Sequence, residues 1–165
     1  MRVLTKSDGN PEIFLEEAQN EAEKSMCLER RCGAVLVRGN VIIGRGFNSP
    51  PGNLESQRRC GQDKSTLNER VTEKTCCVHA ERRALSNALK KYRDISRSIM
   101  YFTSIDEHGN RIFSGKPYCT DCSKACLDEG IIAWVLEHAE GVTIYNAEEY
   151  NDISFNYGKE SPQNL

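Results

Sequence analysis

The sequence predicts a three-layer α/β domain, and three observations carry that prediction. The hydrophobic pattern runs helix, hairpin, helix, strand, helix, strand, strand, helix, and strands alternating with helices build layered sheets. The strand segments are near-continuous apolar runs, as expected of a sheet covered on both faces. The chain has 165 residues, 38% apolar and 28% charged, enough for one domain with its own core.

Taken in order, residues 1–10 read as an arm. Asn10 can cap a helix whose first position is Pro11, where the missing N–H costs nothing. Phe14, Ala18 and Ala22 recur every four residues and carry that helix to about Met26. Gly33-Ala34-Val35-Leu36-Val37 reads as a strand, Gly39-Asn40 as a two-residue turn, and Val41-Ile42-Ile43-Gly44 as the returning strand. Gly46-Phe47-Asn48-Ser49-Pro50-Pro51-Gly52 ends the hairpin. Residues 49–75 are polar and without period, and a loop of that length in a compact domain is usually functional or mobile. A second helix starts near Val78 and runs to about Tyr92, with Ala80, Ala84, Leu85, Ala88 and Leu89 as its apolar stripe.

Ile99-Met100-Tyr101-Phe102-Thr103 is the third strand, followed by a loop over 104–116. A short helix begins at Cys119 and stops at Gly130. The segments 131–136 and 142–145 are the fourth and fifth strands, and 147–157 is weakly helical. Residues 158–165 read as a tail, and a single domain spans 1–165. Parallel β–α–β connections in it are right-handed.

Charge and composition exclude several roles. A formal net charge of −2 argues against long nucleic acid, which needs a basic surface. No apolar run approaches the ~20 residues of a membrane helix, and Met1-Arg2-Val3-Leu4-Thr5-Lys6 has no secretory apolar core. A reducing, cytoplasmic setting is expected. The eight cysteines then read as thiols and metal ligands rather than as a disulfide framework.

The chemistry concentrates in two places. Cys77-Val78-His79-Ala80-Glu81 sets an imidazole and a carboxylate two residues apart at a helix start. Pro117-Tyr118-Cys119-Thr120-Asp121-Cys122 sets two thiols three apart at another. His79, Cys119 and Cys122 make three zinc ligands, the number typical of a catalytic site that keeps a position open. Residues three apart share a helix face, and the positive end of a helix favours thiolate. Glu81 is left as the general acid/base, a role that typically contributes ~10²–10⁴-fold. Zinc supplies the other requirement of amine hydrolysis, lowering the pKa of water to about 7. The competing readings are a capping or core histidine at 79 and buried apolar thiols at 119 and 122; both would have to hold together.

H-x-E followed by C-x-x-C is the pattern of zinc nucleobase deaminases. The chain resembles the cytidine/deoxycytidylate deaminase superfamily over about residues 11–145, and within it the deoxycytidylate deaminases. Cys32-Gly33-Ala34-Val35-Leu36-Val37 resembles their first strand, and Gly46-Phe47-Asn48-Ser49-Pro50-Pro51-Gly52 their Gly-Tyr-Asn-Gly-x-Pro loop. The resemblance implies a five-stranded mixed sheet with helices on both faces, one catalytic zinc, and substrate contacts at Asn48 and Ala80. It also implies a small nucleotide partner and a homo-oligomer. An Asx turn ahead of Pro50 is the alternative for Asn48. Cys27 and Cys60 fall near positions that hold a second, structural zinc in some relatives, with Cys76 as a further ligand; free thiols are the alternative.

Three departures stand out: Tyr118 separates the usual Pro from the first Cys, Arg83 replaces an Asn after Glu81, and 104–116 is longer than the usual link. The leading expectation is conversion of dCMP to dUMP. Arg58, Arg59, Lys64 and Arg70 in the long loop are candidates for its phosphate. Deamination of cytidine, guanine or tRNA adenosine is the alternative within enzymes. A zinc-stabilised nucleotide-binding or interaction module is the alternative outside them, and Glu81 argues against it.

Overall fold

A computed structural model describes residues 1–5 and 9–159. Parts of the expected arm (6–8) and tail (160–165) lie outside the described residues. The elements are β1 (Arg2–Val3), α1 (Pro11–Ala22), β2 (Arg31–Arg38), β3 (Val41–Phe47), α2 (Ala80–Leu89), β4 (Ile99–Ile105), β5 (Arg111–Ile112), α3 (Thr120–Asp128), β6 (Ala133–His138), β7 (Gly141–Asn146) and α4 (Ala147–Phe155).

The sheet order is β1-β7-β6-β4-β2-β3, with β5 on the edge of β4. Only β4 and β6 pair parallel among the described strands. The five predicted strands are present, and two dipeptide strands raise the count to seven. Both additions come from segments that read as irregular. Arg2 pairs with Ile144 and Val3 with Thr143, so the arm begins as an edge strand. Residues 104–116 fold back as a hairpin, because Asp106 accepts from the N–H groups of His108 and Asn110 at 2.9 and 2.8 Å. A strand of two residues has no period to read.

Side chains alternate across the sheet with period two. Val35 and Val37 face α1 through Leu15 and Ala18, together with Tyr101 and Val135. Ala34 and Leu36 face the opposite way, with Met100, Phe102, Trp134 and Leu136, toward α2, α3 and α4. Helices cover both faces, as the apolar runs require. The β2–β3 turn has φ of 55° at Gly39 and 63° at Asn40; positive φ at both central residues is the turn geometry that matches strand twist.

One helix start and one helix end differ from expectation in ways that matter for the site. Helix α2 begins at Ala80 rather than at Val78, because Val78 exchanges backbone hydrogen bonds with Ser49 at 2.9 and 3.3 Å. That bridge makes His79 the residue at the mouth of the helix. Helix α1 ends at Ala22, short of Met26, since Ser25 and Met26 turn away to bond Asn48. Asn10 precedes α1, but its side chain makes no capping bond.

Glycine sets how closely α2 lies on the sheet. A Cβ on Gly46 would stand 2.3 Å from the Ala80 carbonyl oxygen and 2.4 Å from the Ala84 nitrogen. With hydrogen in that place, the first turn of α2 rests directly on β3.

Candidate metal and substrate site

Two helix N-termini meet at the site. His79 precedes α2, and its imidazole makes no capping bond, which leaves it free to act as a ligand. Cys119 precedes α3, and its sulfur accepts from the Cys122 N–H at 3.3 Å. The His79 Nδ1 lies 3.2 Å from Cys119 Sγ and 3.3 Å from Cys122 Sγ. Bonds of about 2.3 Å to sulfur and about 2.0 Å to nitrogen put tetrahedral ligands ~3.5 Å apart. The donor set and its spacing therefore fit zinc. An exposed Arg82–Asp121 ion pair at 3.5 Å spans the two helix starts, and such a pair adds little stability.

The electrostatics of His79, Cys119 and Cys122 suit a cation. The hydrogen bond from Cys122 and then the bond to His79 hold the Cys119 thiol down at about 5. The same thiolate raises His79 to about 9, against the opposing effect of burial. Cys122, beside an already charged sulfur, is pushed up. The Cys119 thiolate and the His79 imidazolium thus share the site with a protonated Cys122, and a metal would displace the protons of His79 and Cys122. Glu81 is 5% exposed, and burial raises its carboxyl to about 7. A buried carboxyl near 7 can both take and give a proton at neutral pH.

Beside these groups lies a cleft of about 250 Å³. His79, Ala80, Glu81 and Asn48 all line it, so four of the six residues chosen from the sequence share one space, while Cys119 and Cys122 lie behind it against His79. Ala80 is fully buried in the first turn of α2. Asn48 is largely committed to structure. Its Oδ1 accepts from the Cys32 N–H at 2.8 Å and the Ser25 hydroxyl at 2.6 Å, and its Nδ2 donates to the Arg30 carbonyl at 2.7 Å. An amide nitrogen has two N–H groups, which leaves one for a ligand.

The predicted cations divide. Arg59 and Lys64 line the cleft, whereas Arg58 and Arg70 do not. Arg58 is held by the Met26 carbonyl at 2.6 Å and by Glu55. Arg83 is likewise spent on the Pro50 carbonyl at 3.0 Å. Lining residues to which the sequence gave no role in the site include Arg30, Lys74, Phe102 and Tyr118. Phe102 is buried on β4 and Tyr118 half-exposed, together giving the cleft aromatic walls. Arg30 donates to the Ser104 hydroxyl at 2.8 Å, while its buried Nε has no partner. Alternation along β4 would have flagged Phe102; an arginine two residues before Cys32 carries no such signal. None of residues 104–116 lines the cleft, and Arg111 is fastened to Glu12 and Glu137 at 2.7 and 3.0 Å.

A second thiol group stands in the same wall. The sulfurs of Cys27, Cys60 and Cys77 all lie within 4.8 Å of one another, and Cys76 Sγ is 3.4 Å from Cys60 Sγ. The sequence reading paired Cys27 and Cys60 with Cys76; the structure adds Cys77, which is buried. Cys32 and Cys126 are buried core residues, as expected. All eight cysteines are free.

A mixed sheet that presents one imidazole, two thiols and a buried carboxylate at two helix starts defines a zinc-binding α/β protein with a potential acid/base beside the metal. The model of the cytidine and deoxycytidylate deaminase zinc-binding region matches residues 9–138, and the chain belongs to that family. It is 40% identical over 80 residues to a deoxycytidylate deaminase of Schizosaccharomyces pombe, and 34% identical over 76 residues to one of Saccharomyces cerevisiae. Each alignment takes in 46% of this chain and 24% of the yeast protein, so the match spans about a quarter of those relatives. The fold is similar to that of the dCMP deaminase from the cyanophage S-TIM5. In its apo form the TM-score is 0.55 at 21% identity, covering 79% of this chain and 82% of that one. The same phage protein in complex with dCMP and dUMP gives 0.54. Among the described residues no helix is long and apolar enough to cross a membrane.

Proposed function

We propose that this chain hydrolyses the amino group of a cytosine nucleotide, converting dCMP to dUMP and ammonia. The observation that carries the reading is the buried carboxyl of Glu81 in one cleft with His79, whose ring lies against Cys119 and Cys122. Zinc held by His79, Cys119 and Cys122 is a Lewis acid that makes water nucleophilic near neutral pH.

Glu81 handles the protons. It takes one from the attacking water as oxygen bonds to C4, and returns it to N3. It then carries the proton of the new C4 hydroxyl to the exocyclic nitrogen. The C4–N bond breaks, ammonia leaves, and the ring keeps a C4 carbonyl and an N3–H. Phe102 and Tyr118 offer apolar faces to the pyrimidine, and the free N–H of Asn48 and the backbone at Ala80 are the contacts assigned to substrate. Arg59, Lys64 and Lys74 are among the residues that line the cleft and suit a phosphate. Support for the substrate comes from the yeast deoxycytidylate deaminases and from the phage enzyme bound to dCMP. Work in the cytoplasm as a homo-oligomer belongs to the same proposal.

Ammonia release over CMP, dCMP, cytidine, deoxycytidine, guanine and adenosine tests it. We expect dCMP to exceed deoxycytidine in kcat/KM by at least ~10²-fold, because a site built for a polar group rejects ligands lacking it. Equal rates on the two, or activity on a purine alone, would refute the substrate while leaving the metal chemistry standing.

A further inference from the structure

Two of the chain's departures from its family meet at one residue. Tyr118 stands between Pro117 and Cys119, where the family pattern has Pro directly before the first cysteine. The longer 104–116 segment leads straight into it. The extra residue adds a side chain next to a candidate metal ligand, and Tyr118 lines the cleft.

The approach to Tyr118 is fixed at several points. Asp106 closes the hairpin turn through His108 and Asn110, and Gln19 of α1 donates to the Gly109 carbonyl at 2.9 Å. The Ser114 N–H donates to the Glu137 carbonyl at 2.9 Å, and the Arg30 guanidinium reaches the Phe113 carbonyl at 3.3 Å. Pro117 is fully buried. On the other side Cys119 leads directly into α3. With the backbone held on both sides, the ring moves only by rotating its own side chain. One direction is already taken. The ring of Tyr157, just past α4, meets it edge-on at 6.0 Å between centroids, a favoured arrangement of aromatic pairs.

Tyr118 shares the cleft with Phe102, Ala80 and Glu81. Burial, and then the Glu81 carboxylate, push its phenol up, which puts the side chain at the end where the chemistry occurs. C4 of the substrate ring must lie at that end, against the metal ligands and Glu81. Glu81 serves the N3 side of C4. The other ring neighbour of C4 is C5, where cytosine carries only hydrogen. A wall at this end other than Glu81 therefore bounds the C5 side.

We infer that Tyr118 is a specificity-determining residue: its ring, braced by Tyr157, closes the cleft beside C5 and excludes cytosine nucleotides that carry a 5-substituent. The inference rests on the nucleotide reading above. A well-packed wall accepts an extra methyl only with strain, and a difference of one methylene in an apolar pocket is worth about 10–200-fold in kcat/KM.

The experiment compares ammonia release from dCMP and 5-methyl-dCMP, as kcat/KM, in the purified full chain and in Tyr118→Phe, Tyr118→Ala and Tyr157→Ala. Zinc content is measured on each. Wild type should prefer dCMP by at least ~10-fold, and in Tyr118→Ala that preference should fall by at least ~10-fold. Tyr118→Phe keeps the ring and should keep the wild-type preference. Tyr157→Ala removes only the brace, and its preference should lie between those of wild type and Tyr118→Ala. A wild type that uses both nucleotides equally well overturns the inference, and so does a Tyr118→Ala with the wild-type preference. A Tyr118→Phe as permissive as Tyr118→Ala makes the hydroxyl the discriminating group and overturns it too. If Tyr118→Ala loses its metal, Tyr157→Ala decides, since it leaves residues 117–122 intact; an unchanged preference there overturns the inference. In each of these outcomes dCMP is still turned over and the nucleotide reading survives. A wild type that deaminates neither nucleotide removes that reading, and the inference falls with it.

Discussion

The two ends of the cleft are built in opposite ways. At the base end, His79 and Cys119 sit at helix mouths that rest on a sheet, and Glu81 is 5% exposed. At the far end, Arg59 and Lys64 are exposed and stand on a segment whose regular structure is limited to single 3-10 turns. Chemistry on a ring requires reacting atoms held to a fraction of an ångström, and helices and strands hold side chains better than loops do. A phosphate asks only for positive charge within reach. The difference teaches that one cleft can combine a rigid chemical end with an adaptable recognition end, provided something anchors the latter.

Four perturbations separate the ends, the largest first. Glu81→Gln should lower kcat by ~10²–10⁴-fold, the usual worth of a positioned acid/base. Metal analysis of that variant should show zinc unchanged; loss of zinc would make Glu81 a ligand and remove its assigned role.

The second uses pH on metal-free protein. Burial raises the Glu81 carboxyl from 4.5 to about 7. An acid whose folded pKa lies above its unfolded value imposes no cost below the lower figure, where both states are protonated. The cost grows as pH rises through the interval and is complete above the higher figure. Chelated Glu81→Gln should therefore be more stable than chelated wild type at about pH 8, on the order of 3 kcal/mol, and no more stable at about pH 4. Denaturant midpoints at the two pH values check this. A gain that does not depend on pH would trace to packing instead.

The third concerns the seat of α2. Gly46→Ala places a methyl 2.3 Å from the Ala80 carbonyl oxygen, and the helix start must shift. We expect a loss of about 2 kcal/mol in unfolding free energy, accompanied by weaker zinc retention, because His79 moves with that turn. Gly39→Ala serves as a control for glycine loss: a Cβ there meets nothing within 4 Å, though its φ of 55° adds strain. Full zinc retention in Gly46→Ala would show that the contact is not what positions His79.

The smallest effect belongs to the far end. Lys64→Ala combined with Lys74→Ala should reduce kcat/KM for dCMP by at least ~10-fold, the loss appearing chiefly in KM. An unchanged KM for dCMP would mean that the phosphate sits elsewhere, with Arg30 the next cation to test.

Much of this molecule was legible in its amino-acid sequence, and the reason is local. The spacing of His79 and Glu81, and of Cys119 and Cys122, names a metal set because ligand geometry is short-range and survives translation into residue spacing. The five main strands were legible because Val, Ile and Leu runs report burial on two faces. The Gly39-Asn40 turn was legible because few other pairs accept positive φ twice.

Other features were decided only when distant segments met. The family resemblance grouped Cys27 and Cys60 with Cys76, but nothing in the sequence announces that Cys77 is the thiol that joins the first two within 4.8 Å. Asn48 reads as a ligand-facing amide in its Pro-rich loop, but in the fold it chiefly joins Ser25, Arg30 and Cys32. Arg58 and Arg83 look like free cations in the sequence and are spent on backbone carbonyls in the structure. By itself the sequence determined the layered α/β class and brought His79, Glu81, Cys119 and Cys122 forward as candidates, each signal encoded within a few residues or one period. Tertiary structure alone decided which charges face the cleft and that Cys77 joins Cys27 and Cys60, because those depend on contacts between residues far apart in the chain.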